Sequence, residues 1–274
     1  MARRTTARPA TSRPAASRRR LLEGAAYSLA LPLFLLALWA VSAMASPNRF
    51  FPGPARILEA FIATWLNESF VIDVLPSLLR LGAGIAISIV LGVVLGTLIG
   101  SFRHVRSLFE PILEFFRAIP PPVLVPVFLL ILGITDEMKI AVIVSGALWP
   151  VLLNTIEGVR AIDPVMRETA RSYQLGRFTR VVSVILPGAL PQIMAGIRQC
   201  LSVALILMVI SEMFASSSGL GYRISYFQRN YLIAEMWSGI LLLGLIGVFL
   251  SLVFQVVERS VLHWYHGLKE VERA

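Results

Sequence analysis

Six stretches of mostly apolar residues, each about as long as a hydrocarbon core is thick, recur along the chain and predict six membrane-spanning helices. They run over residues 27–45, 75–101, 112–134, 139–157, 191–215 and 234–257. The third is interrupted by Pro120-Pro121-Pro122 and Pro126, so it is read as a proline-broken span, tolerated where neighbours satisfy the freed carbonyls. The second carries Gly84, Ser88, Gly92, Gly96 and Gly100. A small residue at every fourth position makes a smooth ridge against which another helix can pack closely or slide. Before it, residues 55–70 place Ile57, Phe61, Ile62 and Trp65 at helical spacing, the pattern of an amphipathic helix lying in the interface.

Composition agrees with a polytopic membrane protein. Of 274 residues, 57% are hydrophobic and 15% charged, well below the quarter usual in soluble domains. The net charge of +9 is distributed by side rather than gathered for nucleic acid. Residues 1–26, 102–119, 158–190 and 258–274 hold 18 of the 25 Lys and Arg residues, whereas 46–74 and 216–233 hold 4. That asymmetry places both termini and the loop 158–190 in the cytoplasm. Deleting the third span would break it. Residues 1–26 are read as a disordered basic tail, followed by an uncleaved first span although Ala43-Met44-Ala45 looks like a signal-peptidase site. Residues 258–274 form a C-terminal tail, in which His263 and His266 read as interfacial anchors beside Trp264 and Tyr265. The single cysteine, Cys200, permits no intrachain disulfide.

Catalytic chemistry is hard to place. No His-Glu-x-x-His pair and no Gly-x4-Gly-Lys-Ser/Thr loop occurs, which argues against a membrane metalloenzyme and against an ATPase site in this chain. A secondary transporter would show duplicated halves and midplane charges, and the sequence displays neither convincingly. Glu212, near the end of the fifth apolar stretch, is a costly carboxylate beside Ser216-Ser217-Ser218-Gly219. It reads equally as part of a gate or as an interfacial carboxylate bonded to nearby serines and backbone. Arg80 and Arg198, near span ends, could attract an anion, but snorkelling to headgroups is the favoured reading.

The loop 158–190 is the most informative segment. Asp163-Pro164 has the form of a helix start. Glu168, Ala170, Arg171 and Ser172 then combine charge with small side chains, and a second helical stretch from Arg177 to Ile185 is expected to end at Pro187. Physics alone leaves two readings open: a helix that docks a partner, or a solvated loop whose arginines set topology.

At these residues the chain resembles a known family. Glu168-Thr169-Ala170-Arg171-Ser172-Tyr173 and Leu186-Pro187 look like the EAA loop of type I ABC importer permeases. Arg117-Ala118-Ile119-Pro120, Asn154-Thr155, Asp163-Pro164 and Ser217-Ser218-Gly219-Leu220-Gly221-Tyr222 are similar to the branch handling aliphatic sulfonates, taurine and nitrate, in register over residues 75–260. Two positions depart from the pattern: Thr169 stands where alanine is usual, and Gln174 where the family has glycine. The latter argues against the usual chain reversal there, or moves it to Gly176.

The resemblance implies an all-α, six-helix permease that is not itself an enzyme. It binds no cofactor of its own; ATP and Mg belong to partner ATPase subunits. Other implied partners are an extracytoplasmic substrate-binding protein and a second permease copy, read as a homodimer, in a bacterial inner membrane. Glu168, Thr169, Ala170, Arg171, Ser172, Gln174, Gly176 and Pro187 would form the coupling loop. Glu212, Arg117, Asn154, Ser217 and Gly219 are the candidates for gate or pathway. Cargo is a small organic or inorganic anion, with another small organic nutrient as the alternative.

Overall fold

The computed structural model describes residues 18–45, 49–214 and 216–265. It is all-helical, and the chain divides into two units, residues 1–57 and 58–274.

The first unit contains α1 (Arg18–Ala45). Leucines, Phe34 and Val41 line its exposed apolar surface, and the Trp39 and Phe51 rings pack with centroids 5.3 Å apart. Of the tail read as disordered over 1–26, residues 18–26 are helical, because Leu, Glu and Ala there are good helix formers. Residues 1–17 lie outside the described residues. Helix α2 (Pro54–Trp65) begins in this unit and ends in the second.

The second unit is built on α3 (Leu75–Ser101), α6 (Asp136–Arg160) and α9 (Leu186–Phe214). Among the described residues, four continuous helices are long and apolar enough to cross a membrane: Phe70–Ser101, Asp136–Arg160, Arg177–Phe214, and α11 (Ile233–Val261). At the expected proline-broken third span, two helices meet at a sharp bend and are long and apolar enough to cross only together. Helix α4 (Arg103–Ala118) and the segment Pro121–Leu132, which ends in α5 (Val125–Leu132), are bent by 83°. The break falls at Ile119-Pro120, where proline forces its predecessor out of the helical region; Ile119 has φ −76°, ψ 118°. Residue 112, the expected start of the span, therefore lies inside a separate amphipathic helix.

The small-residue ridge on α3 is a packing surface. A β-carbon at Gly84, Gly92, Gly96 or Gly100 would fall within 2.9 Å of Ile143, Val151, Thr155 or Val159 respectively, all on α6. The partners step along α6 as the glycines step along α3, so the two backbones lie against each other. Helix α9 closes the other side of α6, where Gly158 meets Ala189 and Gln192, and Gly196 meets Pro150 and Asn154. Trp65 is buried and donates to Ser238 Oγ at 2.9 Å. The end of α2 is thus anchored in the protein core rather than lying freely in an interface.

Two π-helical turns, Phe70–Val74 and Val181–Ile185, lead directly into α3 and α9. Each precedes a proline at the second position of the following helix, Pro76 and Pro187. Proline lacks an N–H and crowds the carbonyl four residues earlier, and a widened turn accommodates both effects without ending the helix. Pro187 therefore does not end the segment, contrary to the expectation from the sequence. Arg177–Phe214 is one 38-residue helix.

Candidate functional site

Two polar regions occupy opposite ends of the α3–α6–α9 core. At one end lies the loop leaving α6. Asp163 accepts the Val165 amide at 2.8 Å and Pro164 occupies the first position of α7 (Pro164–Ser172), as the sequence predicts. The chain reverses at Gln174, which has φ +54°. Gln174 N–H bonds Arg171 O at 2.8 Å, and Leu175 N–H bonds Ala170 O at 3.2 Å. This is the double-bonded helix cap that ordinarily carries glycine in the left-handed position. The expected shift of the reversal to Gly176 is overturned: Gly176 has φ −55° and opens α8 (Arg177–Arg180). Two backbone bonds and the neighbouring Leu175 and Ala170 hold glutamine in a conformation costly for a residue with a β-carbon.

Ala170 is buried within this chain and packs the loop inward. Glu168, Thr169, Arg171 and Ser172 are exposed. The loop arginines divide their work. Arg167 donates to Val159 O, Arg180 to Leu175 O at 3.3 Å, and Arg160 pairs with Glu157 at 2.6 Å, while Arg171 and Arg177 face outward. Between them stand exposed apolar groups, Tyr173 (77%) and Phe178 (82%), with Val165 and Met166 alongside.

At the opposite end, about 36 Å away along the 25-residue α6, the start of α3, the start of α6 and the end of α9 bring charged side chains together. Glu212 is completely buried. It accepts Arg80 Nη1 at 2.7 Å and Gly221 N–H at 3.0 Å, and both its oxygens lie 2.8 Å from Ser77 Oγ. Arg80 also reaches Asp136, Lys139 pairs with Asp136, and Asp73 pairs with Arg223 at 3.0 Å.

Three successive amides at the start of α10 (Leu220–Arg229) are each taken by a different side chain. Gly219 N–H goes to Asp73 Oδ1 at 3.1 Å, Leu220 N–H to Ser77 Oγ at 2.9 Å, and Gly221 N–H to Glu212 Oε2. Carboxylates at a helix N-terminus meet both its orphan donors and its positive end. Buried charges stripped of water require such pairing and hydrogen bonding, which the arrangement supplies.

The five gate or pathway candidates do not assemble into one site. Glu212 and Gly219 touch: a β-carbon on Gly219, at φ +120°, would stand 2.5 Å from the Glu212 carboxyl carbon. Ser217 is exposed beside them, while its neighbour Ser218 offers its carbonyl to Arg80 at 3.3 Å. Asn154 sits at the α6–α9 crossing with its amide on Pro150 O. Arg117 pairs with Glu114 and lines a charged pocket with Glu110, Glu157 and Arg160 at the loop end. Arg80 does not snorkel; it is buried between two carboxylates. Arg198, largely exposed, pairs with Glu258.

Sequence reasoning passed over Asp73, Ser77, Asp136, Lys139 and Arg223. The available signal was parity: successive spans alternate direction, so residues near 75–80, 136–139 and 212 fall at one end, where opposite charges inside apolar segments are expected to pair.

Comparison with known proteins agrees with this architecture. Residues 88–263 match the model of the binding-protein-dependent transport system inner membrane component family. The permease SsuC of Escherichia coli, whose name assigns it to aliphatic sulfonate transport, is 32% identical over 246 residues, covering 88% of this chain and 93% of that protein. The bicarbonate transport system permease protein CmpB of Synechococcus elongatus is 28% identical over 257 residues, covering 89% and 92%. Among solved structures, a chain of the inward-facing MetNI methionine ABC transporter superposes with a TM-score of 0.60 at 20% identity, covering 70% of this chain and 96% of that one.

Proposed function

The chain belongs to the binding-protein-dependent transport system inner membrane components and is a permease subunit of that kind, and from that premise we propose that it imports a small anion, driven by a separate ATPase through the loop 158–190. The family match over residues 88–263 carries this reading.

The exposed face of the loop supports the coupling role. A segment that only set topology would have no reason to hold Tyr173 and Phe178 in water beside Glu168 and Arg171. Ala170 secures α7 to the body of the permease. Glu168, Thr169, Ser172 and Arg171 form the docking face for an ATPase subunit, which binds the ATP and Mg. Gln174 and Gly176 shape the turn, and the helix through Pro187 carries motion into the membrane. The distribution of positive charge puts this loop and both termini in the cytoplasm. The buried ion cluster then lies at the extracytoplasmic mouth, where a binding protein delivers cargo. Helix α1 and the bent α4–α5 pair complete six crossings, and a second copy of the chain completes the pathway. An anionic cargo is supported by relatives named for sulfonate and bicarbonate transport.

Reconstitution with the ATPase and binding protein in proteoliposomes tests the reading. Glu168→Lys is expected to abolish transport-coupled ATP hydrolysis while the permease remains inserted. Unchanged uptake by that variant overturns it.

A further inference from the structure

Four charges meet where α3, α6 and α9 converge, and only one of them reaches water. Arg80 and Lys139 side chains are 6% and 4% exposed, and Glu212 is fully enclosed, but Asp136 is 59% exposed. Glu212 is committed to Ser77, Gly221 and Arg80 Nη1. Asp136 is bound less completely. A single oxygen, Oδ1, takes Arg80 Nε at 2.9 Å, Arg80 Nη2 at 2.9 Å and Lys139 Nζ at 3.2 Å.

The Nε/Nη2 edge of a guanidinium presents two parallel donors suited to two oxygens of one anion. Here both donors converge on one oxygen and Nη2 also reaches Ser218 Oγ at 3.4 Å, so no second oxygen of the same anion meets the edge. Asp136 is also the first residue of α6, where the helix end itself favours negative charge. The two cations are held rigidly by burial, while the carboxylate between them is tethered at the surface.

We propose that Arg80 and Lys139 form a receiving site for a small oxyanion, a sulfonate or bicarbonate carrying three oxygens on one atom, and that the Asp136 carboxylate occupies this site until the anion displaces it. This rests on the reading above that the cargo is an anion. Beside the two cations one anion takes the place of another, while the displaced Asp136 carboxylate, already 59% exposed, keeps its charge in water. The exchange improves geometry, since separate oxygens serve Arg80 Nε, Arg80 Nη2 and Lys139 Nζ. Glu212 remains in place and keeps Arg80 oriented. Asp136 thereby acts as an internal competitor that sets how tightly the mouth holds cargo, so that cargo is received there and also released.

The test is a calorimetric titration of the purified full-length chain in phosphatidylcholine nanodiscs with sodium methanesulfonate, at ionic strength held constant with sodium chloride. Asp136→Asn removes the competing charge and is expected to bind methanesulfonate at least tenfold more tightly than the unmodified chain. Adding Lys139→Gln to that variant is expected to abolish the gain. Equal affinity of Asp136→Asn and the unmodified chain overturns the proposal, and so does a gain that survives Lys139→Gln. If Asp136→Asn does not yield monodisperse protein, Asp136→Ser is titrated against the same two outcomes. Binding to the isolated chain requires neither ATPase nor binding protein. A negative titration alongside intact ATP-driven uptake therefore refutes this site alone, whereas loss of the transport reading is seen in uptake.

Discussion

Gly219 and Glu212 are in contact through the space a side chain would occupy: a β-carbon on the glycine would lie 2.5 Å from the carboxyl carbon and 2.6 Å from each oxygen. The backbone there has φ +120°, a region that residues with a β-carbon rarely enter. Gly219→Ala therefore combines strain with collision and is expected to destabilise the fold by about 2–4 kcal/mol. Thermal melting of the purified chain in detergent measures this; an unchanged midpoint contradicts the contact.

Glu212→Gln keeps the shape of the side chain but removes its charge, leaving Arg80 buried beside Asp136 alone. A buried charge left with no partner costs about 3–5 kcal/mol, and because Arg80 keeps Asp136 the loss is expected to fall below that range. Adding Arg80→Met to Glu212→Gln removes the stranded cation as well, so the double variant is expected to melt higher than Glu212→Gln alone. A double-mutant cycle gives the coupling directly.

Gln174→Gly is expected to stabilise the loop, because the left-handed position then carries no β-carbon. The gain is about 1 kcal/mol. Hydrogen exchange at Leu175, whose amide closes the cap onto Ala170 O, should slow in the glycine variant.

Along α3 the prediction separates two glycines of the same helix. Gly92→Val places atoms against Val151 and the Leu152 backbone, whereas Gly82 has nothing within 4 Å. Gly92→Val should cost about 1–3 kcal/mol or more through overpacking, and Gly82→Val should change stability by less than about 0.5 kcal/mol through packing. Size-exclusion profiles and melting midpoints of the two variants provide the comparison.

What could be read from the chain in advance was what depends on neighbours along it. The four-residue spacing from Gly84 to Gly100, the helix start at Asp163-Pro164 and the break at Pro120 each follow from local periodicity or from one residue's backbone chemistry. The ion cluster follows from neither. Arg80 and Glu212 are 132 residues apart, and only the antiparallel course of α3 and α9 brings them together. Gln174 shows a further limit. Propensity assigns glycine to the left-handed position, yet two backbone bonds and a buried alanine hold glutamine there. Pro187 misled in the same way, since a π-turn just upstream absorbs what the proline would otherwise interrupt.

The unbroken course of Arg177–Phe214 has a mechanical meaning. One rod, about 56 Å long by its residue count, has its foot in the exposed loop and carries Glu212 two residues from its tip. Pivoting such a rod by about 5° about its middle swings each end through roughly 2–3 Å, given that length. Contacts of 2.7–3.0 Å between Glu212 and Arg80, Ser77 and Gly221 do not survive such a swing unless their partners travel too. Were the foot levered, the displacement would reach those bonds through one continuous helix.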